Sequence, residues 1–181
     1  LCAAPGGKTL QLAAQGWQVT ALDISKRRLD LLKANLKRTG LKANTVRADA
    51  LKWEPKHQYD AILLDAPCTA TGTARRHPDV LHRIGARQIE EMAELHTAPL
   101  QQAQGWLKPG GTMVDATGSL EREEGEDQPG AVTRPTLAVS PDELPAGLAA
   151  TAEGWIRTDP GMLVDAGGLD GFFIARWRRG A

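Results

Sequence analysis

Short apolar runs alternate with longer stretches of helical periodicity through the first two thirds of the chain. Residues 19–22 and 61–64 are apolar runs of strand length, and an aspartate follows each of them. Between them, leucines recur at helical spacing over residues 26–39, which Ser25 can cap and Gly40 can end. This alternation predicts an α/β fold with a mostly parallel sheet and helices on both faces.

Turn residues bound further segments of helix or strand length. The other predicted helices are residues 8–14 and 87–107. The other predicted strands are residues 45–48, residues 112–116 and a closing antiparallel pair, residues 162–164 with 171–177. Residues 108–111 are predicted as a turn that ends the helix of residues 87–107, because they combine proline with two glycines. Residues 129–145 contain four prolines, which predicts a loop instead of a helix.

Size and composition indicate a single domain over residues 1–181. The chain has 181 residues, of which 41% are hydrophobic, enough for a sizeable core. No apolar run approaches the roughly 18 residues of a membrane span, and no charged and apolar leader opens the chain, so we expect no membrane contact and a cytoplasmic location. Only three residues precede the first glycine turn, which predicts a truncated first strand and a fragment of a longer protein.

Charge and cysteine usage narrow the choice of partners. Lysines and arginines number 22 and acidic residues also 22, so any contact with nucleic acid must be a local patch. The two cysteines lack the spacing of metal ligands, and the four histidines include no His-x-x-x-His pair, so we expect neither a metal site nor a disulfide framework. His57 and His96 have no predicted partner.

Two motifs carry the candidate chemistry. The chain opens on a glycine turn, Cys2-Ala3-Ala4-Pro5-Gly6-Gly7-Lys8-Thr9. It is not a phosphate-binding P-loop, because Cys2 stands where the first glycine would be, and the dinucleotide fingerprint Gly-x-Gly-x-x-Gly is also absent. Further along, Asp65-Ala66-Pro67-Cys68 closes a buried strand. A thiol beside a carboxylate at the carboxyl end of a strand lies where open α/β sheets bind ligands.

Four segments together resemble the Sun/Fmu family of S-adenosylmethionine-dependent RNA cytosine-5 methyltransferases. They are Cys-Ala-Ala-Pro-Gly-Gly-Lys-Thr at residues 2–9, Asp-Ala-Pro-Cys-Thr-Ala-Thr-Gly at 65–72, Arg-Arg-His-Pro-Asp at 75–79 and Asp-Gly-Phe-Phe at 170–173. The third segment is similar to the bacterial branch that methylates small-subunit ribosomal RNA. The resemblance implies a Rossmann-like class I methyltransferase fold.

The resemblance also implies a binding site for S-adenosylmethionine. In the family the glycine turn holds the methionine moiety, while Asp23 corresponds to an acid that binds the ribose hydroxyls and Asp49 to one near adenine. The implied cofactor residues are Cys2, Ala3, Ala4, Pro5, Gly6, Gly7, Lys8, Asp23, Arg28, Asp49 and Asp65. Any one of these aspartates alone could be a polar strand end, but three at equivalent strand ends favour a cofactor site.

The implied chemistry meets an obstacle at Gly118. The family uses a cysteine thiolate to attack carbon 6 of cytosine, because carbon 5 alone is a poor nucleophile. Of the two family cysteines, one is retained as Cys68, whereas the nucleophile is replaced by Gly118, and the neighbouring aromatic residue by Asp115. The implied catalytic positions are Lys8, Asp65, Cys68 and Gly118. Loss of a covalent nucleophile typically lowers the rate by about 10⁴- to 10⁶-fold.

Three alternatives remain open for this site. Cys68 could replace the missing nucleophile, or the domain could bind S-adenosylmethionine and RNA without catalysis. Drift or sequence error could also explain Asp115, Gly118 and the proline-rich stretch together. A nicotinamide oxidoreductase would share the fold, but the chain lacks its glycine fingerprint.

A local basic cluster follows the Cys68 motif. The predicted RNA contacts are Arg75, Arg76 and His77, and a solvated loop is the alternative. The implied partner is ribosomal RNA with an unstacked or single-stranded cytosine, bound by a monomer.

Overall fold

The chain folds into two units, and the computed structural model describes residues 1–180 of them. The first unit is Leu1–Lys56 and the second begins at His57. Each unit has its own sheet, with two strands in the first and four in the second. The prediction of one catalytic domain over residues 1–181 stays a prediction.

The first unit contains two helices and a parallel strand pair. Its elements are α1 (Gly7–Ala14), β1 (Thr20–Asp23), α2 (Lys26–Thr39) and β2 (Asn44–Arg47). The predicted boundaries of α2 are confirmed: the Ser25 hydroxyl accepts a hydrogen bond from the Arg28 N–H, and Gly40 ends the helix with φ 70°. Leucines of α2 form the buried core with Ala4 and Ala21. Helical spacing of the leucines therefore determined both the helix and its buried face.

The second unit is built on a mixed sheet. Its strands are β3 (Tyr59–Asp65), β4 (Leu107–Thr117), β5 (Ile156–Thr158) and β6 (Phe172–Arg178), and its helices are α3 (Val80–Arg83) and α4 (Ala86–Ala103). The strand order is β3-β4-β6-β5. Strands β3 and β4 are parallel, whereas β6 is antiparallel to both of its neighbours. Leu64, Met113, Phe173 and Trp177 are completely or almost completely buried in this unit.

The predicted closing strand pair is correct in one partner and wrong in the other. Strand β6 is confirmed, but residues 162–164 are not a strand, and β5 takes the place beside β6. The carboxylate of Asp159 accepts a hydrogen bond from the N–H of Gly161, and Leu163 has φ 52°. These turn conformations bend the chain away from the extended geometry that a strand requires.

Residues 108–111, predicted as a turn, form a bulge within β4 instead. Pairing with β3 passes from Leu107 to Thr112 while β3 advances by only two residues. Gly110 has φ 76°, and its N–H donates to the Arg179 carbonyl at 2.9 Å. Glycine adopts this conformation while the chain stays in the sheet, so residues that favour a turn can also form a bulge.

The long helix before β4 ends earlier than predicted. Helix α4 stops at Ala103, a short 3₁₀ turn covers Gln104–Trp106, and Leu107 already belongs to β4. Trp106 and Leu107 are both buried. The apolar pattern therefore continues past the end of the helix, which is why it does not reveal the boundary.

The proline-rich stretch forms no continuous helix, as predicted. Its helical turns are the 3₁₀ turns Gln128–Ala131 and Pro141–Glu143, and Thr136 between them forms an isolated antiparallel bridge with Trp177. It is nevertheless tied to β6: the Leu137 N–H donates to the Arg176 carbonyl at 2.8 Å, and the Arg176 guanidinium binds Glu143. That guanidinium, with the Ser140 N–H, lowers the pKa of Glu143 to about 2. Within residues 1–180, no helix has the length and apolar character needed to cross a membrane.

Candidate functional site

The glycine turn at the start of the chain lies close against α2. Gly6 has φ 112°, and a Cβ at this position would overlap the Leu32 side chain. The Ala3 N–H donates to the Leu22 carbonyl at 3.0 Å, and the amide of Asn35 donates to the Pro5 carbonyl at 3.2 Å. The conformation and the close approach both require glycine at position 6. Asn35 is a support that sequence reasoning missed.

Asp23 connects this turn to the end of β1. Its carboxylate is almost completely buried and accepts hydrogen bonds from the Ala4 N–H at 3.1 Å and the Ser25 N–H at 2.9 Å. Arg28 lies 3.7 Å from the same carboxylate and also donates to the Ala4 carbonyl. The structure therefore brings the turn, Asp23 and Arg28 together, as the predicted cofactor site requires.

Asp49 follows the neighbouring strand at the same edge. Strands β1 and β2 are parallel, so Asp23 and Asp49 both lie at carboxyl ends. The Asp49 carboxylate accepts a hydrogen bond from the Leu51 N–H at 3.0 Å, and the residue is half-buried. Two of the three predicted aspartates thus share a strand edge in the first unit.

In the second unit, the segment that contains Cys68 and the segment that contains Gly118 meet at the carboxyl ends of β3 and β4. Asp65 pairs with Ala116 across the parallel strands, and the Gly72 N–H donates to the Gly118 carbonyl at 2.9 Å. Cys68 lies on the loop between these contacts and is half-buried with a free thiol. Asp65, Cys68 and Gly118 therefore belong to one edge of one sheet, where the sequence placed the candidate chemistry.

Gly118 has room for a side chain. Apart from its chain neighbours, one heavy atom of the described residues, Cε1 of Phe172, would lie within 4 Å of a Cβ, at 3.7 Å. That separation is an ordinary van der Waals contact, and the backbone of Gly118 is not left-handed. The local structure therefore does not require glycine at this position.

Gly72, in contrast, is required by its neighbours. A Cβ at Gly72 would overlap the Gly171 carbonyl oxygen and lie 2.7 Å from the Gly118 carbonyl oxygen. The Gly171 N–H donates to the Gly72 carbonyl at 2.7 Å. Close backbone contact among these three glycines fixes the Cys68 loop against the end of β4.

A buried carboxylate joins the two motif segments. Glu124 is fully buried, and its carboxylate accepts hydrogen bonds from the Thr69 N–H at 2.8 Å, the Thr69 hydroxyl at 2.5 Å and the Ser119 hydroxyl at 2.5 Å. Thr71 bonds the same serine and accepts from the Leu120 N–H at 2.9 Å. Thr69, which follows Cys68, and Ser119, which follows Gly118, are thereby held by the same carboxylate.

Sequence reasoning missed Glu124, because it lies in the acidic stretch of residues 121–126, which gave no sign of a buried partner. Glu126 is also partnered there, since its carboxylate binds the Arg157 guanidinium, which donates to the Ser119 carbonyl at 2.6 Å. Burial raises the pKa of Glu126, but the hydrogen bond and charge of Arg157, with a backbone hydrogen bond and the charge of Arg122, outweigh burial and lower the pKa overall. The hydroxyl residues beside both motifs were the available signal, since buried hydroxyl groups need partners.

His96, for which the sequence indicated no partner, has one in the structure. Its Nε2 lies 2.7 Å from Oδ1 of Asp115, and both side chains are fully buried. Burial raises the pKa of Asp115, the hydrogen bond with His96 opposes that effect, and the charge of Asp65 adds to it. His57 packs against Tyr59 with ring centroids 4.9 Å apart. Asp115 therefore belongs to a buried polar pair.

The basic cluster after the Cys68 motif is exposed and partly neutralised. The Arg75 guanidinium donates to the Gly167 carbonyl at 2.8 Å, whereas Arg76 makes a bidentate ion pair with Asp170. Arg76 lowers the pKa of Asp170 and its own pKa is raised by the same contact. His77 is exposed beside them. RNA contact by these residues stays a prediction.

Comparisons with known proteins agree on one family. The sequence profile described as 16S rRNA methyltransferase RsmB/F matches residues 1–178. Ribosomal RNA small subunit methyltransferase B is 44% identical over 182 residues in Klebsiella pneumoniae and 40% identical over 180 residues in Shewanella oneidensis. Each match covers 97% of this chain, but only 40% and 41% of the respective relative.

Solved structures confirm the Rossmann-like methyltransferase fold. NSun6 from Pyrococcus horikoshii, solved with SFG, superposes with a TM-score of 0.82 at 31% identity, over 98% of this chain and 46% of that one. The N-methyltransferase NodS from Bradyrhizobium japonicum has a TM-score of 0.60 at 16% identity, over 99% of this chain and 83% of that one, which indicates a shared fold alone. The chain thus spans less than half the length of these two methyltransferase B relatives and of NSun6.

Proposed function

The chain belongs to the 16S rRNA methyltransferase RsmB/F family, and from this we propose that it forms the catalytic scaffold for methylating carbon 5 of a cytosine in small-subunit ribosomal RNA. The sequence resemblance to the Sun/Fmu methyltransferases is confirmed by this membership. One observation supports the assignment most directly. The Asp65 and Cys68 motif meets position 118, that of the family nucleophile, at one edge of the sheet in the second unit.

S-adenosylmethionine is the cofactor of the family, and the SFG with which NSun6 was solved is an analogue of it. When bound, it supplies a methyl group activated by a sulfonium centre. The first unit fits such a group because there is open space beside the turn, where nothing lies within 4 Å of a Cβ placed at Gly7. Gly6 holds the backbone of the turn close to α2. We assign the residues 2–8, Asp23, Arg28 and Asp49 to binding it. Asp23 also has a positioning role, since it holds the turn through Ala4.

The second unit supplies groups for cytosine. We propose that the Asp65 carboxylate accepts a hydrogen bond from the exocyclic amino group, which orients the ring and favours protonation at the ring nitrogen. A thiolate at position 118 would attack carbon 6 and make carbon 5 electron-rich enough to accept the methyl group. Loss of the carbon 5 proton to a base would then expel the thiolate and restore the aromatic ring. Lys8 is the remaining implied catalytic position. Gly118 has no thiol, so the protein has the scaffold of the reaction without its usual nucleophile.

We therefore propose that methyl transfer by this chain is strongly impaired. Deletion of a covalent nucleophile costs about 10⁴- to 10⁶-fold in other enzymes. A second candidate function follows from the same residue: a module that binds S-adenosylmethionine and RNA without reaction. Cys68 lies on the neighbouring loop, and its attack on the cytosine is the alternative that would preserve activity.

The RNA substrate sets the remaining parts of the proposal. Carbon 6 of a stacked base is inaccessible, so the target cytosine must be unstacked or single-stranded. The exposed loop after Cys68 contains Arg75, Arg76 and His77. We assign these residues to contacts with phosphates of the RNA. A ribosomal RNA substrate implies action in the cytoplasm, and we propose a monomer.

Within residues 1–180, no cluster of three or more His, Cys, Asp or Glu side chains could hold a metal ion.

Calorimetry tests the cofactor part of the proposal. We expect heat of binding from S-adenosylmethionine and none from NAD. Asp23→Asn should weaken cofactor binding by about 10- to 100-fold, because a charged hydrogen-bond acceptor is lost at the turn. Asp30→Asn is the matched control, since Asp30 is exposed on α2 and pairs with Lys26. Binding of NAD in preference to S-adenosylmethionine would show that the cofactor assignment is wrong.

A further inference from the structure

An open pocket of about 470 Å³ lies in the second unit, beside the β5–β6 pair. Its floor is apolar and includes Leu144, Leu148, Ile156, Phe172 and Ile174. The volume lies within the range of about 300–1,000 Å³ that is usual for small-molecule sites. Apolar surface of this extent, left open to water, is suited to a flat ligand face.

The rim of the pocket is positively charged. Arg75 and Arg76 both line it, together with the single carboxylate of Asp170. Arg75 is held in place by its hydrogen bond to the Gly167 carbonyl, and its side chain lies over Gly168, about 3.5 Å from where a Cβ would stand. Two guanidinium groups against one carboxylate leave one surplus positive charge. A ligand with one anionic group would complement it.

Phe172 links this pocket to the candidate catalytic edge. Phe172 lines the pocket, and its Cε1 is the atom that a Cβ at Gly118 would contact at 3.7 Å. A ligand in the pocket and a side chain at position 118 would therefore both have Phe172 as a neighbour. The pocket is adjacent to the place where the target cytosine must be presented, but its lining does not include Asp65 or Cys68.

We propose that this pocket receives one unstacked nucleotide of the RNA, a neighbour of the target cytosine, with its base on the apolar floor and its phosphate at Arg75. Bases have apolar faces that bind to aromatic and aliphatic surfaces, and each is attached to one phosphate. This combination matches the apolar floor and the surplus charge. The inference rests on the proposed function, because it identifies a further subsite for the same RNA substrate.

Filling the pocket tests the base contact. Leu148→Trp should weaken binding of unmethylated small-subunit ribosomal RNA about tenfold in a filter-binding assay, as loss of one base contact does in single-strand binders. Leu95→Trp is the matched control, because Leu95 is 52% exposed on α4 and lies outside the pocket. Leu144→Trp fills the same pocket and replaces Leu148→Trp if that variant does not fold.

Removing the rim charge tests the phosphate contact separately. Arg75→Gln should reduce the slope of log affinity against log salt concentration by about 0.7, the value for one phosphate of a single strand. Leu148→Trp should leave the slope unchanged, since it removes no cation. Arg87→Gln, at an exposed position of α4, is the control for loss of a positive charge.

Three results would overturn the proposal. The first is equal RNA affinity for Leu148→Trp and Leu95→Trp. The second is a changed salt slope for Arg75→Gln with no effect of either pocket-filling variant, which would indicate a phosphate contact without a base site. The third is loss of S-adenosylmethionine affinity in Leu148→Trp without loss of RNA affinity. Failure of cofactor binding by the unaltered protein would instead contradict the proposed function, and the RNA affinities would still decide the pocket.

Discussion

Gly118 is the single residue on which the proposed chemistry depends most. The sequence resemblance implies a nucleophilic cysteine at this position, and the structure has space for one with only an ordinary contact to Phe172. The backbone of Gly118 is not left-handed. The local fold therefore does not require glycine here, and Gly118→Cys should introduce no strain.

Asp115, where the sequence resemblance implies an aromatic residue, is accommodated by His96. Because burial raises its folded-state pKa above the unfolded value of about 3.9, the folded protein binds more protons between the two values. Stability is then greatest below the unfolded pKa and falls as pH rises through the folded pKa. Asp115→Asn should remove this loss and raise Tm at pH 7, by about 2–4 °C for each kcal/mol gained.

Thermal melts at pH 4 and pH 7 check this expectation. The gain from Asp115→Asn should be larger at pH 7 than at pH 4. Asp60→Asn is the control with the opposite sign, because Lys108 lowers the pKa of that exposed carboxyl group. A variant that is less stable than the parent at pH 7 would show that Asp115 is stabilised as an ion by His96.

At the scale of elements, Glu124 connects the loop after β3 with the segment after β4. Glu124→Ala should lower the free energy of unfolding by about 3 kcal/mol, because it leaves buried donors of Thr69 and Ser119 without an acceptor. Urea denaturation measures the change. The exposed Glu123 provides the matched control, and Glu123→Ala should be nearly neutral. Equal effects of the two substitutions would mean that Glu124 does not hold the motif loops.

The glycine contacts give a second expectation for the same loops. Gly72→Ala should destabilise the protein by at least about 2 kcal/mol, because a methyl group would overlap the Gly171 carbonyl. Gly105→Ala is matched, since Gly105 also lies in a 3₁₀ turn but has nothing within 4 Å of a Cβ. Similar melting temperatures for both variants would contradict the close packing of the Cys68 loop against β4.

Local pattern predicted the elements whose boundaries have local causes. Helix α2 was predicted to the residue because its leucine spacing, serine cap and glycine end are all in the sequence. The bulge at 108–111 and strand β5 were not, since glycine and proline favour turns and bulges alike, and β5 has only three residues. Distant pairing determines both: the bulge lies in the pairing of β4 with β3, and β5 pairs with β6.

At the scale of the whole molecule, the motifs supplied candidate residues in each unit, and the structure added the contacts that support them. The candidates Asp23, Asp65, Cys68 and Gly118 came from the sequence, because their proposed chemistry depends on residue type and position at strand ends. Glu124 and the His96–Asp115 pair were missed. Their roles depend on partners separated by 55 and 19 residues, which no local pattern records.

We propose, for the whole protein, an intact methyltransferase scaffold that lacks its nucleophile. The most direct test is transfer of radiolabelled methyl from S-adenosylmethionine to unmethylated small-subunit ribosomal RNA, by the unaltered protein and by Gly118→Cys. We predict labelling by the variant and about 10⁴-fold less, or none detectable, by the unaltered protein. Equal labelling by both proteins would contradict the account by showing that another group attacks the base, and absence of labelling in both would contradict the claim of an intact scaffold.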